Sequence, residues 1–179
     1  MKRVLGLLVV GTLAAMLQGA VAGFIPARFC PDLGFLIAVA IGLCWRSTAG
    51  GLVVAASLGF VADLLSGSLL GQHALLRVLA FGAARLPSRN LNLRGPLPQA
   101  LFVAGLTAAN AVAVGALTTF FSPGAGFGVA ALGDLPAHAC VNAVFAPFVT
   151  RATEALLGRL GDEEAGRRLL RLEPRRWAA

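Results

Sequence analysis

The sequence predicts an all-α membrane protein with six transmembrane helices and both termini on the cytoplasmic side, and three observations carry that prediction. Hydrophobic residues make up 58% of the 179 and charged residues 13%, against about 45–50% and about 25% in soluble domains. Six apolar segments can be marked: Val4 to Phe24, Leu33 to Trp45, Ala49 to Leu65, Leu69 to Ala84, Leu97 to Phe121 and Leu135 to Leu157. The loops between them alternate in Lys and Arg content, the bias that sets orientation in a bilayer.

The first segment follows Lys2 and Arg3 and is close to the roughly 17–25 residues that a span needs. Ala20-Val21-Ala22 before Gly23 also has the look of a signal cleavage site. The apolar run exceeds the roughly 7–15 residues of a secretory core, however, and reads as a first span. The second segment is short enough to be re-entrant, and the charges decide that it crosses. With the N-terminus inside, Lys2, Arg3, Arg46, Arg85, Arg89, Arg94, Arg151, Arg159, Arg167, Arg168, Arg171, Arg175 and Arg176 all fall on the cytoplasmic side. Arg28 alone falls in an outer loop. Were the second segment not to cross, Arg46 and the loop from Arg85 to Arg94 would move outside and the asymmetry would collapse.

Residues 1–158 thus form a six-helix transmembrane domain and residues 159–179 a basic tail. In the tail Ala165, Leu169 and Leu172 share a helical face, while Arg167, Arg168 and Arg171 point elsewhere. That pattern describes a short amphipathic surface helix whose arginines, with Trp177, match anionic lipid headgroups. The net charge of +7 serves topology; no basic and aromatic module accompanies it, so no nucleic-acid partner is expected. Cys30, Cys44 and Cys140 lack the spacing of a disulfide framework or a zinc site. No Gly-rich phosphate loop, GxSxG or HExxH occurs, so the chain is expected to be neither an enzyme nor the holder of a cofactor or metal.

The residue that stands out is Asp63, inside GFVADLLSGSLLG. A carboxylate at mid-span costs roughly 2.5–3.5 kcal/mol on insertion scales and persists where something offsets it. Gly51, Ala55, Gly59, Asp63 and Gly67 recur every four residues, a stripe that allows close helix approach. The turn near Gly67 puts Asp63 roughly 6 Å before it and Arg77 roughly 14 Å after it. Because side chains lean toward their own helix N-terminus, the two lean together. An ion pair between Asp63 and Arg77 is expected, with capping of loop amides near Gly67 by Asp63 as its rival. Asn110 and Asn142 are expected to hydrogen-bond between helices, and His73 and His138 to be polar packing groups.

Pro31-Asp32 opening an apolar helix, a basic break near Arg46 and then Gly59-x-x-x-Asp63-x-x-x-Gly67-x-x-x-Gly71 resemble the MreD family of bacterial rod shape-determining membrane proteins. The resemblance runs from Pro31 to about Leu86, with a weaker echo at Asn142 and Pro147. It assigns Gly59, Asp63, Gly67, Leu70 and Gly71 to the family motif, whereas Arg77 departs from it, since an apolar residue is expected there. It implies a non-catalytic inner-membrane protein that binds the bitopic protein MreC and helps couple MreB filaments to the glycosyltransferase and transpeptidase of peptidoglycan elongation. It also implies a fold similar to the six-helix substrate-binding subunits of ECF transporters, and small-solute binding in such a transporter is the alternative function. The residues themselves lead only to a protein that acts by binding, either a partner helix or a small solute.

Overall fold

A computed structural model describes residues 1–67, 69–86, 95–122 and 129–172, the side chains of residues 27, 129–132 and 162–172 excepted. Helices α1 (Lys2–Ala22), α2 (Leu33–Cys44), α3 (Thr48–Ser66), α4 (Gln72–Arg85), α5 (Pro96–Phe121) and α6 (Val129–Leu172) account for most of them, and a 3-10 turn at Ala27–Phe29 lies between α1 and α2. Among the described residues there is no strand. Helices α1, α3 and α5 are long and apolar enough to cross a membrane.

Local chemistry sets the helix ends. Asp32 caps α2 by accepting from the Phe35 amide at 2.9 Å, and Ser47 caps α3 by accepting from the Gly50 amide at 3.2 Å. Pro96 opens α5 at a position where a missing N–H costs nothing. At the other end of α2, the Arg85 guanidinium donates to the Trp45 and Arg46 carbonyls at 2.8 and 2.7 Å, satisfying acceptors that a helix terminus leaves open.

Consecutive helices alternate in direction, as Gly51 against Phe81 and Gly59 against Ala74 show for α3 and α4. Gly6 of α1 lies against Leu160 of α6, Gly11 of α1 against Leu58 of α3, and Gly42 of α2 against Phe81 and Ala84 of α4. Gln99 bonds Thr150, and Thr107 bonds Asn142, joining α5 to α6 in antiparallel order. One end of the bundle therefore carries Lys2, Arg3, Arg46, Arg85, Arg151 and Arg159. The other carries Arg28, which pairs with Asp134 at 3.4 Å.

Helix α2 is the centre. Gly34 through Gly42 are all buried, with Ile37, Ala38 and Ile41 against Leu7, Val54, Ala55, Leu58, Phe81 and Leu157. Phe35, Leu36 and Val39 cluster with Ala80, Ala84, Val103 and Ala146. The outer helices turn large apolar side chains outward, among them Leu13 and Leu17 of α1, Phe60 and Leu64 of α3, Leu79 of α4, Leu101 and Val112 of α5 and Phe148 of α6. Apolar residues thus line both the core and the outer belt, as a lipid environment requires.

Two boundaries differ from the sequence reading. Helix α4 starts at Gln72, three residues after Leu69, because Gly67 and Gly71 both adopt left-handed backbone with φ of 61° and 91° and shape the intervening turn. Helix α6 runs without interruption from Val129 to Leu172, through the junction drawn at 158 and over Pro136 and Pro147. The side chains expected to make the tail amphipathic, and Arg175, Arg176 and Trp177, lie outside the described residues, as do Arg89 and Arg94.

Candidate functional site

Two polar centres lie inside this apolar bundle. The first is the hairpin of α3 and α4. Asp63 is 1% exposed and its carboxylate closes the N-terminus of α4. Oδ1 accepts from the His73 amide at 2.8 Å and sits 2.9 Å from His73 Nδ1. Oδ2 accepts from the amides of Gly71 at 2.9 Å and Ala74 at 3.3 Å. Three first-turn donors and the positive end of the helix macrodipole stabilise the buried charge.

Each motif glycine has its own reason. A Cβ on Gly59 would strike the backbone of His73 and Ala74, so α4 rests directly on α3 there. One on Gly51 would meet the Phe81 ring, and Ala55 between them is fully buried. Gly67 and Gly71 have open space where a Cβ would be, so their positive φ is the requirement and not packing. The small-residue stripe therefore packs from Gly51 to Gly59 and ends before Gly67. Leu70, in the turn, is 72% exposed.

The ion pair expected between Asp63 and Arg77 does not form. Arg77 faces α2, on the same side of α4 as Phe81 and Ala84. Its Nη2 donates to Asp32 Oδ1 at 3.0 Å and its Nη1 to the Leu58 carbonyl. Asp63 instead accepts from the amides of Gly71, His73 and Ala74, in the turn and at the start of α4. Gly34 makes the Arg77 position possible, since a Cβ there would stand 2.6 Å from Nη1.

That Asp32–Arg77 pair belongs to the second centre, around the N-terminus of α2. Asn142, fully buried, accepts at Oδ1 from the Asp32 amide at 3.0 Å. Its Nδ2 lies 3.3 Å from both Thr107 Oγ1 and His138 Nε2. Gln18 of α1 accepts from the Leu33 amide at 3.0 Å. All six helices thus contribute to this centre: Gln18, Asp32, the Leu58 carbonyl, Arg77, Thr107, and Asn142 with His138. Non-helical backbone before α2 is tolerated in an apolar bundle because these side chains satisfy it.

Asn142 is thus an interhelical hydrogen-bonding group, as expected. Asn110 is not: it is half-buried on α5 and makes no hydrogen bond among the described residues. The sequence reading missed Gln18, Thr107 and the capping role of Asp32. For Asp32 a signal existed, an Asp directly before an apolar helix. Among the described residues, no three His, Cys, Asp or Glu side chains could hold one metal ion.

Fold and site together define an all-helical bundle, three of whose helices can cross a membrane, held by a capped hairpin and a central polar cluster. Comparisons with family models, curated proteins and solved structures gave no match.

Proposed function

We propose that this chain is a non-catalytic scaffold subunit of the bacterial cell-elongation complex, with six spans in the inner membrane and both termini in the cytoplasm. In that role it binds an MreC-like bitopic protein. Through that partner it links MreB filaments to the glycosyltransferase and transpeptidase that extend peptidoglycan. The reading rests on the motif resemblance, and one observation supports it: Gly59, Asp63, Gly67 and Gly71 are each used to build a rigid hairpin. A motif used in this way preserves a shape, and a shape is what a docking partner recognises. The cationic end supports the inside placement of the termini, and the basic tail contacts anionic lipid there.

Affinity purification of the tagged chain from its native membrane, wild type beside Asp63→Asn, tests the proposal. Recovery of a single-span protein with cell-wall synthases, weakened in the variant, is the expected result. Unchanged recovery and protein level in the variant would remove Asp63 from the mechanism.

Small-solute binding in an ECF-type transporter remains a second reading, favoured by the convergence of polar side chains from all six helices at the start of α2. Those groups bond to one another, which weighs toward the scaffold. Co-purification of an ATP-driven module, or of a solute alone, would reverse that order.

A further inference from the structure

The hydrogen-bond inventory around Asn142 fixes the direction of every bond in the second centre. Thr107 has one hydroxyl proton and gives it to the Val103 carbonyl at 2.8 Å, so its Oγ1 accepts from Asn142 Nδ2. The Asp32 amide can only donate, so it faces Asn142 Oδ1. The second proton of Asn142 Nδ2 therefore points at His138 Nε2, 3.3 Å away. That nitrogen must present a lone pair, which makes His138 a neutral imidazole with its proton on Nδ1.

We propose that His138 and Asn142 form a proton-operated latch on the N-terminus of α2. A proton on His138 Nε2 sets two donors against each other. The conflict has two resolutions. Either the Asn142 amide stays and loses His138, or it turns over, accepts from the imidazolium and puts its NH2 against the Asp32 N–H. The first keeps the Asn142 bond to the Asp32 amide and the second breaks it; through the second, acid loosens the grip of α6 on the segment that enters α2. The charged groups about the latch are Asp134, one turn before His138 on α6, and Asp32, across Asn142; each is paired with an arginine, Arg28 on the 3-10 turn and Arg77 on α4 respectively. Helix α5 contributes Thr107 to this region, and α1 contributes Gln18.

Cys30, buried two residues before Asp32, reports on the latch. In full-length protein with Cys44→Ser and Cys140→Ser, N-ethylmaleimide labelling of Cys30 is compared between His138 and His138→Gln at each pH. Because the comparison is made at one pH at a time, the direct effect of pH on the thiol is common to both proteins. A Gln oxygen accepts from Asn142 at any pH. The expected ratio of rates is near one at about pH 8, where histidine side chains are largely neutral. It rises to roughly threefold at about pH 5.5, the opening that loss of one average interhelical hydrogen bond produces. A ratio that stays flat or falls with acid overturns the latch. As a check independent of the variant's folding, nitrogen NMR of histidine-labelled protein distinguishes the tautomers, and the chain has two histidines to assign. His138 with Nδ1 protonated at about pH 8 supports the latch, and Nε2 protonated overturns it.

Discussion

Replacing Asp63 with Ala removes the acceptor from the amides of Gly71, His73 and Ala74 at once. The Gly71 amide lies in an exposed turn where water can replace the carboxylate. The His73 and Ala74 amides are half-buried against Gly59 and have no comparable recourse. Each buried donor left unsatisfied costs about 1–3 kcal/mol, so the variant is expected to lose about 2–6 kcal/mol. Asp63→Asn keeps one oxygen and turns an NH2 toward amides that need an acceptor, for about half that loss. Hydrogen exchange of detergent-solubilised protein reads the effect at the amides concerned. A loss of about 2 kcal/mol accelerates exchange at His73 and Ala74 roughly 30-fold, with much smaller change in the core of α2. A double-mutant cycle adds the decisive control: Asp63 with Arg77 should show coupling near zero, and Asp32 with Arg77 about 0.5–3 kcal/mol. Coupling concentrated on Asp63 and Arg77, or unaltered exchange at the two amides, would refute the assignment of Asp63 as the cap of α4.

Four further outcomes follow from the same geometry. Asp32→Asn leaves the Arg77 guanidinium buried without its counter-ion, and thermal unfolding in detergent should show a loss of about 3 kcal/mol. Gly59→Leu should abolish the compact fold, read as loss of a monodisperse peak in size-exclusion chromatography, because the side chain must displace α4 backbone. Gly67→Ala introduces no clash and should cost about 1 kcal/mol through its left-handed backbone alone, measured by the same thermal unfolding. Asn142→Leu removes the partners of the Asp32 amide, Thr107 and His138 together, and should lower stability by about 1–3 kcal/mol. Asn110→Leu, which breaks no bond, serves as its silent counterpart.

The hairpin was legible because backbone requirements leave marks in sequence. A small residue every four positions with one carboxylate among them announces a close helix pair, and Asp63 and Gly59 occupy the places that pattern gave them. The partner of Asp63 was misread because span boundaries were taken from hydropathy, which cannot see that Gly67 and Gly71 both need positive φ. Starting α4 at Leu69 placed Arg77 opposite Asp63; starting it at Gln72 places the helix terminus there. The second centre left weaker marks. Gln18, Thr107 and Asn142 are isolated polar residues in apolar helices, and nothing local distinguishes Thr107, which is bonded into the cluster, from Asn110, which is not. Only the packing of all six helices does.

The enclosure of α2 also bears on how the chain assembles in a membrane. Its 12 residues rise about 18 Å, well short of a hydrocarbon core about 30 Å thick. Its first amides are answered by Gln18, Asp32 and Asn142, and the carbonyls just past its end by Arg85. The Gln18 contact is available as soon as α2 is synthesised, but Arg85 arrives only with α4 and Asn142 only with α6. Helix α2 must therefore wait, half-partnered, until α6 has left the ribosome. A helix made about a hundred residues later completes the setting of the second, and a truncation that removes α6 should leave α2 as the first segment to fail quality control.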